Sequence, residues 1–208
     1  MTAVVSGLEV RSVRLDDPLA AVLLDELFVE YRERYADLLG VGELDAESLA
    51  RYVAEFRAEG LEEFLPPDGD LVLLLAGGVP VAGGAFRRRA EPELGEPARR
   101  TSRPGPGALA GGAAHDADGT PLVATAELKR IWTHSAHRRR GLARQVLTEL
   151  ERRAADRGYA RVYLTTGPRQ PEAVGLYVAA GYTPLYDPVA VVATMPDALS
   201  PRPFEKWL

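Results

Sequence analysis

The sequence contains no cysteine among its 208 residues. A disulfide framework, a thiolate nucleophile and a cysteine-bearing zinc site are therefore excluded. No apolar run is long enough to span a membrane. The first residues carry no basic region followed by an apolar stretch, so no signal peptide is expected and a cytoplasmic protein with no membrane partner is the default. Excess positive charge is also missing: the formal net charge is −5, which argues against a nucleic-acid binder and makes the basic character local. No Gly-x-x-x-x-Gly-Lys-Ser/Thr occurs, which disfavours P-loop nucleotide chemistry. His134 and His137 lack the carboxylate or cysteine neighbours of a metal site, and no metal is expected.

What is present suits one globular domain spanning 1–208, with 46% hydrophobic and 26% charged residues. Leu8 to Leu15 reads as a strand whose apolar phase shifts near Ser12, as a bulge would cause. Asp17-Pro18 starts a helix that runs to about Tyr35, with Leu24, Leu27, Phe28 and Tyr31 on one face. A second helix follows Asp45, with Leu49, Tyr52, Val53 and Phe56 at helical spacing. Leu71 to Ala76, Gly77-Gly78 and Val79 to Arg88 read as a hairpin of strands buried on both faces. The stretch 90–121 is rich in Pro, Gly and Ala and reads as a mobile insertion.

A strand is expected over Val123 to His134, and a helix over Leu142 to Arg157 that buries Leu142, Val146, Leu147, Leu150 and Ala154. Strand Arg161 to Thr166, helix Glu172 to Ala180, and strands Tyr182 to Tyr186 and Arg202 to Leu208 complete the chain. The order β-α-α-β-β-(loop)-β-α-β-α-β-β predicts an α/β (α+β) fold, a mixed central sheet with helices on its faces.

The sharpest feature is Arg138-Arg139-Arg140-Gly141-Leu142-Ala143-Arg144, between the strand and the long helix. Backbone N–H groups at a helix start lack intrahelical partners, and the helix dipole adds positive potential. Gly141 permits close approach of the backbone to a ligand, and arginine forks suit phosphate oxygens. The turn is built to hold a phosphate-bearing ligand.

Arg138-x-x-Gly141-x-Ala143 resembles the acetyl-CoA-binding signature of the GCN5-related N-acetyltransferases, the GNAT superfamily. Glu127-Leu128-Lys129-Arg130-Ile131-Trp132-Thr133 is similar to that family's central strand. Ala173-x-x-Leu176-Tyr177-x-x-x-Gly181-Tyr182 is similar to its last helix and following turn, and Phe204-Glu205-Lys206-x-Leu208 to its closing strand. The likeness covers about residues 123–208 in motifs and the rest in element order.

The resemblance implies a bulged central strand splayed from its parallel neighbour, and the break in alternation between Leu128 and Ile131 is where a bulge would fall. It implies acetyl-CoA as co-substrate, with pantetheine on the backbone of Ile131, Trp132 and Thr133 and phosphates on Arg138 to Arg144. It gives Gln170 a CoA contact where many members have asparagine. It also implies direct acetyl transfer to an amine, with Glu127 as base through water, Tyr177 as acid, and strand N–H groups polarising the thioester. A non-catalytic acyl-CoA-binding module is the alternative. The amine acceptor carries no signature, and the oligomeric state is open, a homodimer being one option by analogy alone.

Overall fold

The computed structural model describes residues 3–5, 7–39, 45–89, 123–186 and 201–208. Eight strands form one mixed sheet: β1 (Ala3–Val5), β2 (Leu8–Val13), β3 (Asp70–Ala76), β4 (Val79–Arg88), β5 (Thr125–Thr133), β6 (Arg161–Thr166), β7 (Thr183–Pro184) and β8 (Arg202–Trp207). Their spatial order is β1-β2-β3-β4-β5-β6-β8-β7. Every neighbouring pair is antiparallel except β5 and β6, which run parallel. Among the described residues, four α-helices join them: α1 (Ala21–Leu39), α2 (Ala46–Ala58), α3 (Leu142–Asp156) and α4 (Pro171–Ala179).

Local chemistry accounts for most boundaries. The Asp17 carboxylate accepts from Leu19 N at 2.8 Å, and a single 3₁₀ turn, Pro18–Ala20, leads into α1. Asp45 caps α2 by accepting from Ser48 N at 2.8 Å. Gly77 and Gly78, both at positive φ, turn β3 into β4.

The sheet has a core on each face. Toward α3 and α4 it buries Val72, Leu74, Phe86, Leu128, Val162 and Leu164 against Val146, Leu147, Leu150 and Tyr177. The five residues expected on the buried stripe of α3 are all buried. A fully buried Leu or Val contributes roughly 1.5–3 kcal/mol, so this stripe is a main anchor of α3. Toward α1, the sheet packs Leu71, Leu73, Leu75 and Trp132 against Leu23, Leu24 and Leu27. β3 is buried from Asp70 through Leu75, as expected for a strand covered on both faces.

The elements differ from expectation at their ends. β1 is a short strand that the sequence pattern did not reveal. β2 stops at Val13 and pairs with β3 without a register shift, so there is no bulge at Ser12. Leu15 reaches the core from the turn that follows β2, which explains its apparent change of phase. Helix α1 continues one turn past Tyr35, because no breaker precedes Gly40. β7 keeps only two residues of the strand expected over Tyr182 to Tyr186. The insertion expected at 90–121 lies outside the described residues.

The bulge falls in β5. Gly83 pairs with Trp132 and Ala85 with Lys129, so three steps along β5 oppose two along β4. Gly84 faces the extra residue. A Cβ there would lie 2.7 Å from Ile131 Cδ1 and 3.0 Å from Val146 Cγ1, so glycine lets the bulged strand and α3 close on β4 without displacing those side chains. On its other edge, β5 pairs with β6 only from Thr125↔Arg161 to Leu128↔Leu164. Both strands run on, β5 to Thr133 and β6 to Thr166, and they part. The splay expected between the central parallel strands is present.

Candidate active site

The parting strands open a cleft of about 580 Å³. One wall is β5 from Leu128 to Thr133. The other is the end of β6 with Thr165, Thr166 and Gly167, continued by α4 through Ala173, Leu176 and Tyr177. Helix α1 lies alongside with Leu27, Glu30, Tyr31 and Tyr35, and the start of α3 closes one end.

Eleven of the thirteen residues singled out in the sequence line this cleft: Ile131, Trp132, Thr133, Arg138, Arg139, Gly141, Leu142, Ala143, Arg144, Gln170 and Tyr177. Arg140 is turned aside, its guanidinium 3.1 Å from His137 Nδ1. Glu127 is the other exception.

The basic turn has the geometry of an anion nest. Arg139 and Gly141 both have positive φ, 62° and 76°. Helix α3 begins at Gly141 with no side-chain cap, so the N–H groups of its first turn are left to whatever occupies the cleft. A Cβ on Gly141 would meet no protein atom within 4 Å, so the glycine is there for its φ. Arg139 and Arg144 are exposed and form no ion pair among the described residues. Arg138 instead donates to Glu30 Oε2 at 2.7 Å.

Beyond Leu128, the β6-facing edge of β5 pairs with no strand among the described residues, which leaves its peptide groups able to bond an extended ligand, with the Thr133 carbonyl already accepting from Arg138 Nε at 3.5 Å. Thr133 Oγ1 is buried, with no hydrogen-bond partner among the described residues. The Trp132 side chain serves the opposite face. Its indole N–H donates to Glu26 Oε2 at 2.9 Å, and Glu26 also accepts from Ser135 N and Oγ. Only the backbone of Trp132 is therefore offered to the cleft.

Gln170 caps the turn before α4. Its Oε1 accepts from Thr166 Oγ1 at 2.9 Å and Gly167 N at 3.0 Å, which leaves its amide nitrogen for a ligand. Tyr177 is buried against Tyr182 and Phe204, with ring centroids 5.8 and 5.6 Å away. Burial, with a smaller effect from Tyr31, pushes its pKa well above the ordinary value. Its hydroxyl forms no hydrogen bond among the described residues, so it stays protonated and able to donate at neutral pH.

Glu127 is not brought into the cleft. It projects from the α1 and α2 face of β5 and is 3% exposed. Oε2 accepts from Arg87 Nε at 2.8 Å, and Lys129 Nζ lies 2.9 Å from Oε1; Arg87 in turn pairs with Glu63. Burial pushes the Glu127 pKa up, but Lys129 and then Arg87 outweigh it and hold the carboxyl below its ordinary range. A general base works best with a pKa raised toward neutrality, so this placement runs against the base role.

The wall supplied by α1 includes Leu27 and Tyr31, which the sequence placed on the apolar face of the helix, and Tyr35, which it read only as the helix end. The signal available was the pair of tyrosines four apart, each with an apolar body and a polar tip. Tyr35 Oη accepts from Arg169 N at 3.1 Å, Arg169 pairs with Asp37 at 2.6 Å, and Arg34 pairs with Glu172. These contacts fasten α1 to the turn before α4. Among the described residues, no cluster of three or more His, Asp or Glu could hold a metal ion, and no helix is long and apolar enough to cross a membrane.

A profile of the acetyltransferase (GNAT) family matches residues 25–182. No curated protein matches the sequence. Three solved structures illustrate the fold's likenesses. PaiA N-acetyltransferase from Thermoplasma acidophilum, in complex with coenzyme A, gives a TM-score of 0.59 at 13% identity, with 97% of this chain and 99% of that one covered. An acetyltransferase from Streptococcus agalactiae gives 0.54 at 16% identity, with 98% and 100% covered. A GNAT-family acetyltransferase from Staphylococcus aureus gives 0.54 at 11%, with 96% and 99% covered. At such identities the likeness is one of fold.

Proposed function

The chain belongs to the acetyltransferase (GNAT) family, and from that premise we propose that it transfers an acetyl group directly from acetyl-CoA to an amine. The observation that carries this reading is the cleft between β5 and β6, which joins an unpaired strand edge to an uncapped helix start flanked by arginines. Acetyl-CoA, when bound, supplies a thioester that a neutral amine attacks without a covalent enzyme intermediate, in keeping with the absence of cysteine.

The residues divide the work as follows. The α3 N–H groups with Arg139 and Arg144 hold phosphate. The edge of β5 around Ile131 to Thr133 takes the amide-bearing arm. Strand N–H groups beside the bulge polarise the thioester oxygen. Tyr177 donates a hydrogen bond to the departing sulfur. Full proton transfer from a tyrosine with a raised pKa to an alkyl thiolate (about 8.5 for cysteine) is uphill, so the hydrogen bond is its contribution. Glu127 holds Arg87 and Lys129 in place, and the amine loses its proton to solvent.

The test is calorimetric titration of acetyl-CoA into the wild type, Gly141→Glu and Gly141→Asn. Asparagine tolerates positive φ, so it controls for backbone strain. Micromolar binding, lost with Glu and largely kept with Asn, supports the site and justifies a screen of amine acceptors. Absence of binding to the wild type overturns the reading.

A further inference from the structure

We propose that Arg130 is a positioning residue that couples helix α2 to the bulge beside the cleft. The inference rests on the acyl-CoA reading of that cleft.

Arg130 stands at the bulge with φ 56°. Long side chains disfavour this conformation and glycine adopts it freely, so the bulge alone gives no reason for arginine. Its side chain supplies one. The side chain is 9% exposed, and its guanidinium donates from Nη2 to two carbonyls, Phe56 O and Glu59 O, each at 2.9 Å. It lies 4.7 Å above the Phe56 ring, with Glu59 Oε2 at 3.9 Å.

These carbonyls belong to the C-terminal end of α2, where helix carbonyls lack intrahelical partners and the dipole is negative. A cation from the bulged strand thus caps the helix, and the strained backbone and the cap depend on one residue. Phe56 also packs edge-on against Tyr31 of the cleft wall, with centroids 6.0 Å apart. A ligand that orders the free edge of β5 fixes the Arg130 backbone and, through its guanidinium, the end of α2. By reciprocity, a ligand that orders the end of α2 strengthens binding at the β5 edge by the same factor.

Hydrogen–deuterium exchange with and without acetyl-CoA tests this. Peptides over 139–144 report occupation of the cleft, and peptides over 46–60 report the coupling. The wild type is expected to gain protection in both. Arg130→Gly suits the positive φ but removes the guanidinium. It should keep protection at 139–144 and lose the ligand-dependent protection at 46–60 by about fivefold, the low end of ordinary coupling. Arg130→Lys, which keeps the charge without the fork, should fall between. Peptides over 70–88 report an intact core, and if Arg130→Gly fails there, Arg130→Lys carries the comparison.

Protection of 139–144 without protection of 46–60 in the wild type overturns the coupling. So does an unchanged ligand-dependent difference at 46–60 in the variants, because a merely structural cap would raise exchange equally with and without ligand. No protection at 139–144 in the wild type overturns the cofactor reading instead, and this inference with it.

Discussion

Replacing Glu127 with Gln separates electrostatic support from proton transfer. The carboxylate is 3% exposed and bonded to two cations. Removing one partner of a fully buried pair costs about 3–5 kcal/mol, because it strands a buried charge. Here the stranded groups reach water: the Arg87 side chain is 24% exposed and that of Lys129 is 32%. Arg87 also keeps Glu63. The expected cost at pH 7 is therefore lower, about 1–3 kcal/mol, or a fall in Tm of roughly 2–4 °C per kcal/mol for a chain of this size.

The pH dependence is the sharper criterion. The folded-state pKa of Glu127 lies below its ordinary value of 4.5. The wild type therefore carries the full advantage above that value and loses it as pH falls through the folded pKa. Gln is nearly isosteric with the protonated acid, so the two proteins should converge in acid. Urea unfolding at pH 7 and at several points below pH 4.5 measures this. A stability difference that does not change with pH would refute the reasoning, since it would place the effect in packing rather than in the ion pairs. The same variant should lose less than tenfold in kcat/KM, against the ~10²–10⁴ expected for loss of a general base.

Two further outcomes are expected. Tyr177→Phe should leave acetyl-CoA affinity within about twofold while lowering kcat by about ten- to a hundredfold, of the order of one charge-assisted hydrogen bond; calorimetry and steady-state rates check it, and an unchanged kcat would remove Tyr177 from the reaction. Gly167→Ala places a Cβ against the Tyr35 hydroxyl and should destabilise the protein by about 1–3 kcal/mol; adding Tyr35→Phe should recover part of the loss in a double-mutant cycle followed by urea unfolding.

Much of the scaffold was legible because it is written locally. Asp17-Pro18 and Asp45 mark helix starts by the bonds their carboxylates make. The stripe from Leu142 to Ala154 repeats at helical spacing and is buried throughout. Gly141 before that stripe, and the broken alternation after Leu128, each point to a backbone feature that a few neighbouring residues suffice to produce. These depend on φ preferences, caps and periodicity, and a short window of sequence contains all three.

What the tertiary structure alone decided is which charges meet. Arg87 reaches Glu127 across 40 residues because β4 and β5 pair in that register. Glu30 reaches Arg138 across 108 because α1 lies over the cleft. Arg130 caps α2 from 71 residues away. The sequence by itself determined the four helices and most of the strands, the positive-φ turn before α3 and the bulge in β5, but not β1 or the short extent of β7. Whether Glu127 faces the cleft or two cations, whether Arg140 joins its neighbours, and whether Tyr31 and Tyr35 serve the core or the cleft depend on strand register and helix placement. Those are properties of the whole packed chain, because an ion pair is set by distance in space and residue spacing carries no record of it.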